Sequence, residues 1–469
     1  IGSSISGSQC PHSRFHLWSR LMSEAAPATA GHDLPPLLLH LDVNRTVILA
    51  DSVQSASIED GVREGLAELF WGRAWTEGTD LRWAWTKDKP SCFPPEAVEM
   101  QDGMELMTYS VYCKRKISEK QTRKEAVRDF RLVKDRETRE AMEQVAQAAL
   151  ATMRMPSDLV DTEQARGVGL NGEMLVMFPA LFCLVARLQR AGRPFAILFR
   201  TFGSDHEKVE MEWNAFCEMR HPVFSKLLED IGPLDGTKPG VPDRRCHSCH
   251  TLYRDATGPV LGLDICTNGP PGSPWDGWAK QKPKPDRDTR GGREFFAQQG
   301  VRTIDGFPAF RTWLKDFSLE QASAAIKDDW AWWQFNRESS TAGKLMLLEE
   351  SIQQIFFDDN VEHENPRIVD CRHPDGTPVP QAQSMNKFMS KVNPVEAVMD
   401  EEYFVKQLRR CHGDCGTVLP PAQVEDKAVG FARNDFVTSI FRLIRSGLFA
   451  VLNSSRMGMS RVVRLFQGR

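Results

Sequence analysis

No stretch of this chain is apolar for long enough to read as a membrane span, which needs about 20 consecutive apolar residues. The nearest approach, MLVMFPALFCLVARL, already contains Arg187 and is followed by Arg190. An excess of one charge is missing too. Lys and Arg number 59 and Asp and Glu 63, a formal net charge of -4 at pH 7, so no chain-wide positive field argues for nucleic acid as a partner. Cysteine is sparse, 11 in 469 residues, and its odd number and uneven spacing exclude a disulfide scaffold. That pattern fits a reducing compartment, so a cytoplasmic location is expected. Internal repeats are absent as well. What is present is 41% hydrophobic content over 469 residues, enough to bury a substantial core in several domains or in one domain with large insertions.

The first 33 residues read as a flexible tail. MSEAAPATAGHDLPP, beginning at Met22, resembles an initiator region, while Arg14 and Arg20 among serines, with no acid before Glu24, leave an organellar transit segment as the alternative. Residues 34–52 hold the first core piece, LLLHLDVNRTVIL, a buried strand that ends on Asp42. A charge at the tip of a core strand costs desolvation energy unless a cation or hydrogen bonds offset it. Residues 53–170 read as a first, mostly helical insertion: a helix-like SIEDGVREGLAELFWGRAW capped by Ser57 with Val62, Leu66 and Leu69 at helical spacing, a Trp/Pro-rich segment, and a charged helix from about Ile117 to Met153.

Residues 171–205 return to the core with an amphipathic helix, a stop at Gly192, and the apolar run Phe195 to Phe199, which leads to Thr201. Residues 206–340 are irregular and rich in Gly, Pro and Trp, with short strand candidates in GPVLGLDIC and VRTIDGFPAF, and read as a second insertion. Residues 341–433 bring Lys344, an extended or helical linker, the run Ile355 to Phe357 capped by Asp358 and Asp359, and a fourth strand ending at Asp370. Residues 434–469 form an arginine-rich amphipathic helical segment, expected to dock on its own domain, with contact to an anionic membrane surface as the rival. The fold class is α/β, a Rossmann-like parallel sheet carrying two inserted cap-like regions.

Several of these strands end in residues that hold metals or phosphates. In open α/β sheets the ligand crevice lies outside the carboxyl ends of the strands, so residues far apart in sequence converge there. Two carboxylates and a backbone carbonyl make a hard oxygen site for Mg²⁺, a lysine neutralises phosphoryl charge, and a threonine hydroxyl donates to a phosphoryl oxygen.

On DVNRT, AILFRT, Lys344 and IFFDDN the sequence resembles the haloacid dehalogenase (HAD-like) superfamily. The resemblance covers the core strands and implies a Mg²⁺-dependent phosphatase or phosphoryl transferase acting on a phosphorylated small molecule or a phosphoprotein. It assigns Asp42 as nucleophile and metal ligand, Thr201 as phosphate binder, Lys344 as charge clamp, and Asp358 or Asp359 as a further metal ligand. Asn44 departs from the pattern. It stands where the phosphatase branch has a second aspartate; its backbone carbonyl can bind metal, but its amide cannot protonate a leaving alkoxide, a contribution of about 10² to 10⁴ in rate. The resemblance therefore implies a slow hydrolase, one that uses a good leaving group, or a catalytically inactive binding or assembly module.

Other motifs compete. CHSCH has the spacing of haem attachment, but it lies in what reads as a polar loop; Zn²⁺ at Cys246 and Cys249 suits it better than haem, with CHGDC, Cys411 to Cys415, as a second pair, although neither spacing is diagnostic and free thiols are the favoured reading. DDWAWWQFN is expected to pack in the core, or else to form an aromatic wall just before Lys344. Arg200 and Asp205 flank Thr201.

Overall fold

The computed structural model describes residues 34–50, 57–96, 98–266, 272–282, 290–362 and 368–412. The expected N-terminal tail and C-terminal amphipathic segment lie outside them. Among the described residues no helix is long and apolar enough to cross a membrane.

The chain enters through β1 (Leu37–Asp42), whose six residues are all buried. The helix Ile58–Ala67 follows, started by a capping box in which Ser57 and Asp60 each accept the other's backbone N–H at 3.1 Å. Its expected continuation WGRAW is instead a strand. β2 (Trp71–Glu77), β3 (Asp80–Trp85) and β4 (Glu105–Thr108) make a small antiparallel sheet in the order β3-β2-β4. Gly72 is required in it, because a Cβ there would sit 2.3 Å from Cε2 of Trp83. The single charged helix expected from about Ile117 to Met153 is two, Lys120–Arg128 and Arg136–Met153. Phe130 breaks the run by taking φ 52 and burying its ring beside Tyr109, and Asp135 caps the restart by accepting from Thr138 N at 2.8 Å.

The helix Pro179–Arg190 leads into β5 (Phe195–Thr201), and the helix His206–Cys217 follows it. β6 (Cys246–Asp255) and β7 (Gly258–Gly262) form a hairpin, and β8 (Thr303–Asp305) pairs with β7. The helix Gly306–Glu320, β9 (Ser323–Lys327) and the short helix Trp330–Phe335 come next. The chain then makes β10 (Lys344–Leu347), β11 (Gln353–Asp358), β12 (Val369–Arg372) and β13 (Met389–Lys391), followed by the helix Tyr403–His412.

The architecture is α/β around an eight-stranded sheet in the order β13-β11-β1-β5-β9-β6-β7-β8, parallel from β13 to β6. Residues 206–340 are not an irregular appendage, since they supply β6, β7, β8 and β9, the last directly beside β5. SAAIK is short and two of its five residues are alanine, so its apolar signal is weak, although four of the five are buried. CHSCH opens strand β6 and does not lie in a loop. The strand that carries Asp370 does not join the main sheet: β12 pairs with β10 in a separate two-stranded parallel sheet.

Strand alternation decides which face each residue serves. Leu37, Leu39 and Leu41 of β1, with Phe195, Ile197 and Phe199 of β5, pack into the core shared with the helices Pro179–Arg190 and His206–Cys217. Leu38, Ala196 and Leu198 face the opposite side, where Phe310 and Leu314 of the helix Gly306–Glu320 and Leu345 and Leu347 of β10 cover them. On this second side Arg200 Nη1 donates to Leu345 O at 3.0 Å and Gln354 Nε2 to Leu347 O at 3.1 Å, so β10 is hydrogen-bonded across the sheet face.

Candidate active site

β1 lies between β5 and β11, and the chain builds outward from β1 in both directions: through β5 and β9 on one side, through β11 and β13 on the other. A reversal of this kind opens a crevice at the carboxyl ends of the two strands that flank it. Asp42 is the last residue of β1 and Asp358 the last of β11, and the register that pairs Leu41 with Phe357 brings them side by side.

Both carboxylates point to the face covered by β10, whose first residue is Lys344. Its buried ammonium donates to Asp42 Oδ1 and to Asp358 Oδ2, the latter at 2.8 Å. Asp359 completes a group of three buried carboxylates, with oxygens of Asp42, Asp358 and Asp359 all within 4.8 Å of one another. Asp359 is steadied by its backbone N–H, which donates to Thr46 Oγ1 at 3.1 Å, and by Arg45 Nε at 3.7 Å from its Oδ2. Asn360 N donates to Asp358 Oδ1 at 2.8 Å.

Negative charge outweighs positive here. Burial pushes the Asp42 carboxyl well above the usual carboxylate range; Lys344 opposes this, and Asp358 and Asp359 add to it. Burial likewise pushes Asp359 up to about 7, with Arg45 pulling against it. Burial would lower Lys344, but Asp358 and Asp42 together hold it above its ordinary value. A compact set of hard oxygen donors short of positive charge fits Mg²⁺.

Thr201 and Asn44 form the other wall. Thr201 Oγ1 accepts from Gly203 N at 2.8 Å and donates to Asn44 Oδ1 at 3.5 Å. Asn44 Nδ2 donates to Ala50 O at 3.2 Å and to Asp205 Oδ2 at 2.7 Å. Its side chain therefore ties the loop after β1 to the loop after β5. Asp42, Lys344, Asp358 and Asp359 thus come together as one cluster, with Thr201 and Asn44 beside it.

Sequence reasoning gave no role to the polar layer beneath. Arg200 makes a bidentate pair with Asp328, Nε to Oδ2 at 2.9 Å and Nη2 to Oδ1 at 2.5 Å, and Nη1 lies 3.1 Å from His40 Nδ1. His40 Nε2 in turn lies 3.2 Å from Gln354 Oε1. Burial first, then Arg200, lowers the His40 pKa to about 3, so the ring is neutral and accepts at Nδ1 while donating from Nε2. The clue in the sequence is spacing, since His40 stands two residues before Asp42 and shares its face of the strand.

The tryptophan segment does not pack as a core and lies instead where its alternative reading put it, beside Lys344. No residue of the helix Trp330–Phe335 is buried, and Trp330 is 43% exposed. The helix follows β9 at the carboxyl edge of the sheet, where Trp333 stacks on Phe202 at 5.4 Å between centroids and Phe202 lies 5.2 Å from Lys344 Nζ. It forms a rim beside the cluster instead of filling a core.

Cys246 and Cys249 are free thiols, and they do not face one another as a zinc pair would. Cys246 packs into the hydrophobic core, whereas Cys249 gathers with His206 and Cys266, their donor atoms within 4.8 Å of one another. Cys411 is buried, and Cys415 lies outside the described residues. No protein-family profile, curated protein or solved structure matches the chain.

Proposed function

We propose that the chain is a HAD-like hydrolase with a Rossmann-like core: a Mg²⁺-dependent phosphatase or phosphoryl transferase that works through Asp42 on a phosphorylated small molecule or phosphoprotein, in the cytoplasm. The observation that carries the reading is the joint hold of Lys344 on Asp42 and Asp358, from strands that flank the reversal of the sheet. A carboxylate oxygen of Asp42 attacks phosphorus, the bond to the leaving oxygen breaks with its electron pair, and an acyl phosphate forms on Asp42. Water then attacks that phosphorus, the acyl phosphate bond breaks, and carboxylate and inorganic phosphate are released, the water's proton passing to solvent. Lys344 offsets the charge that accumulates on the phosphoryl oxygens, and the Thr201 hydroxyl turns from Asn44 to donate to one of them. Mg²⁺ held by Asp42, Asp358 and Asp359 would supply further positive charge at that group.

Asn44 has no proton to give a leaving alkoxide, which directs the chemistry to leaving groups that depart as stable anions. The same residue favours a second reading, a catalytically inactive HAD-like module that keeps the metal site for binding or assembly. Hydrolysis of an aryl phosphate with and without Mg²⁺ separates the two. The hydrolase reading expects turnover that chelation removes, added Mg²⁺ restores and Asp42→Asn abolishes. Turnover that survives Asp42→Asn would sink it. No turnover, with Mg²⁺ binding that still requires Asp42, would leave the binding module.

A further inference from the structure

We propose that His206, Cys249 and Cys266 form a zinc site, separate from the carboxylate cluster. The three come from different elements: His206 begins the helix His206–Cys217, Cys249 lies on β6, and Cys266 follows β7. Their convergence depends on a bulge. β6 pairs Cys246 with Ser323 and Cys249 with Ala325, so three steps along β6 match two along β9. In a regular strand a residue three positions on would face the opposite side of the sheet. The extra residue returns Cys249 to the side on which the helix His206–Cys217 packs, and re-aiming a side chain is a recurrent use of bulges.

The imidazole adds a second observation: it already reaches the Cys266 thiol, yet one of its ring nitrogens is left unpaired. His206 is only 4% exposed, and its Nδ1 is buried without a hydrogen-bond partner among the described residues, an arrangement that costs about 1–3 kcal/mol unless something compensates it. Two thiols and an imidazole are soft to borderline donors, which select zinc over magnesium. Zinc bonds of about 2.0–2.3 Å set tetrahedral donors roughly 3.5 Å apart; donors now within 4.8 Å of one another close to that span by a small inward shift. Three protein ligands leave a fourth position for solvent. The ion would pin the start of the helix next to Asp205, the residue that receives Asn44, to β6.

The test uses the full chain, stripped with chelator and titrated with zinc alone, with metal content measured by mass spectrometry and cobalt as the optical probe. One tightly held zinc per chain is expected, with thiolate-to-cobalt absorption. Losing even an outer-shell partner of a metal costs about 10–100-fold in affinity, so Cys249→Ser, Cys266→Ser and His206→Gln should each weaken binding at least tenfold, while Cys246→Ser and Asp42→Asn leave it unchanged. Circular dichroism checks folding, and Cys266→Ser, outside any strand or helix, keeps the test valid if Cys249→Ser misfolds. Absence of stoichiometric zinc, zinc retained in Cys266→Ser, or a Cys249–Cys266 disulfide in the native protein would each overturn the proposal.

Discussion

Lys344 Nζ lies 2.8 Å from Asp358 Oδ2 although the two residues belong to different sheets. Lys344 starts β10, which lies across the face of the main sheet, and Asp358 ends β11 within it. The ammonium that compensates the buried carboxylates is therefore delivered from outside the strand layer that carries them.

Lys344→Met should leave three buried carboxylates without their principal cation. Breaking a buried pair from one side costs about 3–5 kcal/mol, and urea denaturation of the metal-free protein should show a loss of that order. Mg²⁺ should return part of it, about 2.7 kcal/mol at a hundred times its Kd. A loss smaller than about 1 kcal/mol would mean the carboxyls relieve their repulsion by protonation instead.

The Arg200–Asp328 pair makes a second case, with both side chains essentially without solvent contact. Arg200→Met should cost about 3–5 kcal/mol by stranding Asp328. Arg200→Met combined with Asp328→Leu should be less destabilised than Arg200→Met alone, since no lone charge remains. A double-mutant cycle from unfolding free energies measures this, and strict additivity would contradict it.

Asn44→Asp places a second carboxyl where Asn44 Nδ2 now donates to Asp205 Oδ2 at 2.7 Å. Two carboxyls at that distance share a proton, which raises one pKa and makes an acid available near neutral pH. If the hydrolase reading holds, the variant should hydrolyse alkyl phosphates faster by about 10² to 10⁴ and aryl phosphates by much less. Equal gains on both substrates would argue against proton donation to the leaving group.

Glu349 anchors the turn between β10 and β11, accepting from Arg311 Nε and, at 2.9 Å, from Ser351 Oγ. The Arg311 hydrogen bond, against burial and helped by Ser351, holds its carboxyl down to about 2. A folded value below the unfolded one stabilises the protein above about 4.5, and that contribution disappears as pH falls toward about 2. Arg311 is 43% exposed, so solvent screening keeps the effect small. Chemical denaturation of Glu349→Gln should show a deficit at neutral pH that closes below pH 4.5; a deficit independent of pH would assign it to packing.

The strands were legible where the chain is most apolar. Six consecutive buried residues in LLLHLD and seven in FAILFRT declare themselves, because a strand covered on both faces is apolar along most of its length. SAAIK lacks that signal, and β9 emerges only once β5 and β6 lie on either side of it. WGRAW misled, and DDWAWWQFN left two readings open, for a related reason: the same aromatics can serve a strand, a core or a half-buried rim, and only the neighbouring elements decide among these.

Sequence by itself determined that charged and hydroxyl residues end the apolar strands, because local patterning governs which segments can be buried and which side chains must escape burial. Tertiary structure alone decided that β10 brings Lys344 over the sheet, that Asn44 turns to Thr201 and Asp205, and that a bulge sends Cys249 to His206 and Cys266. Those outcomes depend on register and strand order, which are set by the global fit of faces and edges, and no short window of sequence contains them.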